Sequence, residues 1–296
     1  MFKNVFGFSF YALNIAQATE DLINGFGKVE AILFSRDDLS DEKWEIAWKN
    51  IKEMVDIKGK KNVSFHFPMD NCDYVNDNFV RNRLEDAVRR ANKLGIKKIV
   101  IHPNLRYQIS EWKYIDRNKM RDILYEIVSN IKSDKTLLCI ENMPPIGNKY
   151  DDGDSAIIFM DDLTNGCNYT LDICHYFNVV ETMKKTDKEK AWKEVLAEIK
   201  VCDYFDFLDK LNYIKHFHFS AFREIANPFE NQVCIEGVLP NDSCVDEDIY
   251  KLAMKIIYED AVSNDKSIIF EISEEDYTNR KNIFKMLEWA KKNVEK

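Results

Sequence analysis

The chain has 296 residues, is 45% hydrophobic and 31% charged, and sets 42 Lys and Arg against 51 Asp and Glu for a net charge of -9. Its length suits one α/β barrel, which takes about 250 residues, and its acidic balance argues against a basic, sequence-independent nucleic-acid surface. No apolar run approaches the ~20 residues needed to span a bilayer. Seven cysteines (Cys72, Cys139, Cys167, Cys174, Cys202, Cys234 and Cys244) are scattered with no Cys-x-x-Cys pair, and so read as reduced thiols, not a disulfide framework. The opening stretch 1–10 alternates apolar residues with Gly7 and Ser9, as a first strand does and an export signal does not. A cytoplasmic protein is expected.

In chain order, strand-like runs are expected at 5–10, 29–34, 63–67, 98–102, 137–141, 169–173, 214–219 and 267–271. The run at 137–141 is continuously apolar until Glu141, with no alternation that would leave one face for water, so it reads as a strand buried on both sides. Amphipathic stretches at helical spacing lie between the strands, most clearly at 44–55, 79–94, 120–131, 192–211 and 249–262, with a closing helix at 283–294. Ser40-Asp41-Glu42-Lys43 resembles a capped first turn, and Gly95 follows the helix that ends near Leu94. Eight strands joined by crossovers too long for hairpins specify parallel pairing. The absence of a Gly-x-Gly-x-x-Gly after the first strand favours a closed (β/α)8 TIM barrel over an open doubly wound sheet. With no linker, low-complexity tract or internal repeat, 1–296 reads as one domain. The segments 178–212 and 221–246 exceed what a simple unit needs and read as insertions after strands 6 and 7, the second over the mouth.

The five histidines fall on or beside strand ends: His66 on the third, His102 on the fourth, His175 just past the sixth, and His216 and His218 on the seventh. Carboxylates do the same, with Glu141 ending the fifth strand, Asp172 the sixth and Glu271 the eighth. In a barrel these ends converge on one mouth. Imidazoles and carboxylates mixed at one place are a divalent-metal set, of the Zn, Mn, Fe or Co kind and not Ca, which prefers oxygen ligands throughout. Taken singly, each residue has a plainer reading: His66 or His102 as a hydrogen-bonded histidine, Glu141 or Glu271 as a cap or ion-pair partner, Asp172 with His175 as a turn. His216 sits deeper in its strand and reads as a barrel-interior residue. The acidic run Tyr150-Asp151-Asp152-Gly153-Asp154 lacks the spacing of a calcium loop and reads as a solvated turn.

Six motifs in order carry a resemblance: His66-Phe67-Pro68, Val100-Ile101-His102-Pro103, Ile140-Glu141-Asn142-Met143-Pro144, Leu171-Asp172-Ile173-Cys174-His175, His216-Phe217-His218-Phe219 and Phe270-Glu271. Together they resemble the xylose-isomerase-like TIM barrel superfamily, which holds sugar-phosphate isomerases and epimerases and also the endonuclease IV type of abasic-site nuclease. The resemblance implies a metal site of Glu141, Asp172, His218 and Glu271, with His66 and His102 binding a further metal in the nuclease branch. It implies one or two divalent ions (Zn, Mn, Mg or Co). His175 matches a third-metal ligand in nucleases and a substrate-contacting histidine in epimerases; Asn142 and Asn104 join it as expected substrate contacts.

The nuclease pattern breaks after strand seven. Where its Asp-x-His precedes a Leu-Gly-x-Gly stretch, this chain has Phe229-Glu230-Asn231, with Gly237 aligned. The loop 34–42 is also acidic where a DNA-reading loop is basic. The leading expectation is therefore a metal-dependent sugar or sugar-phosphate isomerase or epimerase. Glu141 and Glu271 would serve as base and acid through an enediolate, with a small sugar as substrate and neither membrane nor, by preference, nucleic acid as partner. The alternatives are an abasic-site phosphodiesterase with an incomplete third metal site, or a metal-binding member without catalysis.

Overall fold

Strands with no polar face need cover on both sides, and a closed ring of parallel strands inside a ring of helices supplies it. The computed structural model describes residues 4–102, 122–127, 136–143, 168–185, 203–225 and 234–294. Eight strands close a parallel barrel: β1 (Phe6–Tyr11), β2 (Lys28–Ile32), β3 (Val63–His66), β4 (Lys98–Ile101), β5 (Leu137–Glu141), β6 (Asn168–Asp172), β7 (Ile214–Phe219) and β10 (Ile268–Phe270). Each pairs with the next in parallel, and β10 returns to β1. Between β7 and β10 the chain adds an antiparallel pair, β8 (Ala221–Glu224) and β9 (Ile235–Val238), outside the barrel sheet.

Among the described residues the helices are α1 (Glu20–Gly25), α2 (Asp41–Lys58), α3 (Asn78–Leu94), α4 (Ile173–Lys185), α5 (Glu247–Asn264) and α6 (Asn282–Val294), with a helical piece at 122–127. Alternation along the strands sends one set of side chains outward onto them. Phe65 of β3 meets Trp44 and Trp48 of α2 with ring centroids 6.1 and 5.3 Å away, and Phe219 of β7 stacks on Trp289 of α6 at 5.8 Å. Trp44 and Trp289 both find acceptors on a neighbouring helix: Trp44 Nε1 donates to Asp86 Oδ2 and Trp289 Nε1 to Glu247 Oε1, each at 2.7 Å. A large aromatic side chain is thereby packed with its polar atom satisfied.

Three local expectations are corrected. Helix α2 begins where expected, but Ser40 makes no side-chain cap; the capping box is one turn earlier, where Ser35 and Asp38 bracket the 3-10 turn Arg36–Leu39. Asp38 also accepts from Tyr11 Oη at 2.7 Å and from the Phe34 and Ser35 amides at 3.0 and 3.2 Å, so part of that loop's acidity is structural. The helix expected over 192–211 is a 3-10 turn, Asp206–Lys210, at its described end, the residues before 203 lying outside the described set. Helix α4 is the converse case. Its first eight residues are all buried, so its opening turns carry no amphipathic stripe for a sequence pattern to reveal.

Gly7 of β1 lies inside the barrel wall, where an added Cβ would stand 2.8 Å from both Lys28 Cβ and the Lys28 carbonyl oxygen. Neither atom is the free end of a side chain, so β1 and β2 would have to separate. Gly7→Ala is expected to destabilise the fold by about 1–3 kcal/mol, read as a lower denaturant midpoint with an unchanged slope.

Candidate metal centre at the barrel mouth

The inward-facing set of strand residues is polar, where barrel interiors are ordinarily branched aliphatics. Glu141 ends β5, Asp172 ends β6, His66 ends β3, and His102 and Glu271 directly follow β4 and β10. His216 and His218, two apart on β7, both point inward, and His175 sits in the first turn of α4. The five histidines, Glu141 and Asp172 are all buried.

Glu141 is the hub. Its Oε2 lies 3.1 Å from His66 Nε2, 3.4 Å from His102 Nε2 and 3.3 Å from His218 Nδ1, and its Oε1 is 3.1 Å from His175 Nδ1. His218 Nδ1 is also 3.4 Å from Glu271 Oε1, whose side chain keeps 27% exposure toward the mouth. One oxygen or nitrogen from each of Glu141, Asp172, His218 and Glu271 falls within 4.8 Å of all the others, and His66, Glu141 and His218 form a second such group.

Asp172 is placed by its neighbours. Both ends of the Asn142 amide are engaged with it: Oδ1 accepts from the Asp172 amide at 2.8 Å and Nδ2 donates to the Asp172 carbonyl at 3.0 Å. Asp172 Oδ1 in turn accepts from the His175 amide at 2.8 Å. Its Oδ2 is buried without a hydrogen-bond partner, as is His218 Nδ1. Both atoms belong to the four-residue group, and a buried polar atom that makes no hydrogen bond is one that a bound cation can satisfy. The donor set of three carboxylates and an imidazole suits a divalent ion such as Zn, Mn, Mg or Co.

Charge points the same way. Two ionised carboxylates at such separations repel by about 3 kcal/mol at the effective dielectric of a protein site. Burial, reinforced by the Glu141 charge, raises the Asp172 carboxyl above its usual range, and burial with Glu141 and Asp172 nearby holds Glu271 well above it. Burial works against ionisation of Glu141 too, but the interaction with His218, with hydrogen bonds from His102 and His175, outweighs it and keeps Glu141 well below the carboxylate range.

Glu30 is the residue that sequence reasoning missed. It sits in mid-β2, fully buried, and receives His218 Nε2 at 2.9 Å on Oε1. His216 Nε2 lies 2.8 Å from Oε2, to which Ser64 Oγ also donates at 2.8 Å. A signal was available: a lone carboxylate between Val29 and Ala31, in a strand with no polar face, must have inward partners. Glu236 of β9 is a second omission, standing 3.1 Å from His175 Nε2. Nothing in its spacing marked it. Asn104, the segment Phe229-Glu230-Asn231 and the acidic run at 150–154 lie outside the described residues.

These contacts fix a titration pattern. Burial drives His216 down to about 4 despite Glu30. For His218 burial is outweighed by Glu271, Glu141 and Glu30, so the ring stays protonated well above its usual range. In chelator-treated protein, histidine NMR is expected to show His216 neutral and His218 cationic at pH 7. A raised pKa contributes stability that is fully present below the unfolded value near 6.5 and is lost as pH climbs through the folded one. The His218 contribution should therefore decline only on the alkaline side, and Glu30→Gln should move that decline to lower pH.

The sequence profile of the xylose isomerase-like TIM barrel family matches residues 19–247. No curated protein sequence matches the chain. Solved structures share the fold across nearly their whole length. Endonuclease IV from Thermus thermophilus is 15% identical at a TM-score of 0.57, covering 97% of this chain and 99% of its own. A 3-keto-D-glucoside 4-epimerase from E. coli is 16% identical at 0.52, covering 98% and 100%. An IolI protein with a bound zinc atom is 13% identical at 0.57, covering 98% and 97%. With a closed eight-stranded parallel barrel and a family profile spanning most of its length, the chain belongs to the xylose isomerase-like TIM barrel family.

Proposed function

We propose that the protein is a divalent-metal-dependent isomerase or epimerase of a small sugar or sugar derivative, working at the mouth of the barrel. The supporting observation is the convergence of Glu141, Asp172, His218 and Glu271 within 4.8 Å, with Asp172 Oδ2 and His218 Nδ1 buried and making no hydrogen bond. These four residues would hold the ion. When bound, a divalent ion supplies Lewis-acid polarisation of a ketose carbonyl, which acidifies the neighbouring C–H.

The proton transfers fall to the two glutamates. Glu141 would take the proton from the substrate carbon, and Glu271, across the site, would pass one to the enediolate, at the adjacent carbon for isomerisation or on the opposite face for epimerisation. His175, held between Glu141 and Glu236, and the two histidines His66 and His102, both against Glu141, line the rest of the mouth. Barrels of this shape serve an epimerase and an endonuclease alike, so the fold by itself does not choose between them.

One observation favours a second reading. His66 and His102 both converge on Glu141 Oε2, and His66, Glu141 and His218 form their own ligand group. A second ion there would suit phosphodiester hydrolysis at an abasic site, in which paired metals stabilise attacking and leaving oxygens.

The discriminating experiment loads the protein with Mn, Zn, Mg or Co and follows solvent-deuterium incorporation into a panel of ketoses by NMR. Alongside it, a labelled duplex with one abasic site is assayed for incision. Exchange that falls at least ~100-fold in Glu271→Gln with the fold retained is expected. Undiminished exchange in that variant overturns the acid-base assignment, and chelator-sensitive incision without exchange replaces the isomerase with a nuclease.

Ion binding is expected to release protons, because burial raises the Asp172 and Glu271 carboxyls and the surrounding carboxylates raise His218, so that each holds its proton more strongly than a free group does. Calorimetric titration in two buffers of different ionisation enthalpy should report net proton release, with affinity weakening as pH falls.

A further inference from the structure

A separate convergence of ligand atoms joins α4 to the β8–β9 hairpin. Cys174, in the first turn of α4, is 1% exposed; Cys234 directly precedes β9 and Glu236 lies within it. A sulfur from each cysteine and a carboxylate oxygen of Glu236 all lie within 4.8 Å of one another. None of the three belongs to the group at the mouth, and the reading proposed for that group has no use for the thiols.

We propose that Cys174, Cys234 and Glu236 form a zinc-class binding site that clamps the hairpin to α4. Thiolates are soft ligands, and two of them with one carboxylate select Zn over the Mg or Mn that an all-oxygen set accepts. Tetrahedral Zn with sulfur at about 2.3 Å needs its ligand atoms roughly 4 Å apart, which this cluster approaches without chain movement. The surroundings already orient the donors. Asn178, one turn further along α4, points Nδ2 at Cys234 Sγ from 2.9 Å, and its own Oδ1 accepts from Thr182 Oγ1 at 3.4 Å. His175 Nε2 contacts Glu236 Oε2 at 3.1 Å, the kind of partner that fixes a metal-binding carboxylate. Glu236 keeps 51% side-chain exposure, so the fourth coordination position opens to solvent. An ion held there ties β9 to the helix that carries His175, and so sets the height of one wall of the mouth.

The test uses the full chain, purified reduced and stripped with chelator, then titrated anaerobically with Co(II) alone. A thiolate-to-cobalt charge-transfer band in the near ultraviolet is expected to saturate with one ion and to disappear on adding Zn. Cys234→Ser should abolish the band. Glu236→Gln should weaken it, and Glu271→Gln, a change at the mouth outside α4 and the hairpin, should leave it in place. Elemental analysis should find one Zn fewer in Cys234→Ser than in the wild type. A reduced wild type with no thiolate band, or a band that persists in Cys234→Ser, overturns the proposal. So does recovery of a Cys174–Cys234 disulfide whose reduction restores no cobalt binding. Because only this one of the two sites contains sulfur, its failure is distinguishable from failure of the mouth to bind metal.

Discussion

The rest of the structure depends on a buried anion in the middle of the barrel. Glu30 projects from β2 into the barrel interior, where it is shut off from bulk solvent, and a carboxylate in that position is tolerated only when donors meet it. His216, His218 and Ser64 do so, and burial alone would raise the Glu30 pKa were it not outweighed by the two histidines, which hold it well below its usual range. The consequence is geometric. With His218 Nε2 committed downward to Oε1, its other nitrogen can only face upward, where it stands between Glu141 and Glu271. A carboxylate behind an imidazole fixes which nitrogen is left for a metal and raises that nitrogen's basicity. The orientation of the mouth therefore begins one layer below it.

Asn142 performs the matching task on the other side. Expected as a substrate contact, its amide instead grips the peptide of Asp172 from both directions, bridging the end of β5 to the end of β6. That clamp leaves Asp172 Oδ1 for the His175 amide at the start of α4 and turns Oδ2 into the site. Two neighbouring strands and one helix thus cooperate to hold a single carboxylate oxygen without a hydrogen bond. Leaving one acceptor without a hydrogen bond in a buried place costs about 1–3 kcal/mol, and a bound ion is one of the things that offsets such a cost.

Much of this was legible in the sequence, for a definite reason. Strand ends at 66, 102, 141, 172, 218 and 271 stand out because a polar residue closing an apolar run breaks a strong local pattern, and parallel connectivity then brings those ends together. Residues that act from within an element left weaker marks. Glu30 interrupts β2 by a single position, and its partner on β7 is 188 residues away. The opening turns of helix α4 are covered on every side, so the periodicity that reveals a half-exposed helix is absent there. Cys174, Cys234 and Glu236 meet only through tertiary structure, with no spacing rule to join them. Asn142 was marked by its place beside Glu141, but its direction was not readable, since an amide next to a strand-end carboxylate can face either a ligand or the backbone.

The mouth is divided by chemistry into two halves that share Glu141. On the β3 and β4 side His66 and His102 offer imidazole nitrogens, and burial lowers the His102 pKa enough to keep its ring uncharged despite the nearby Glu141. On the β6 and β10 side Asp172 and Glu271 offer carboxylate oxygens. On the proposed reading an ion in the carboxylate half would meet three carboxylates and relieve their mutual repulsion, so that half would fill first. The imidazole half would give a second ion only the charge of a Glu141 already shared, and would bind it less tightly. The ratio of those two affinities would then decide between the two readings: a single ion would support proton transfer at carbon, whereas two ions set side by side across Glu141 would create the paired positive charge that displacement at phosphorus requires.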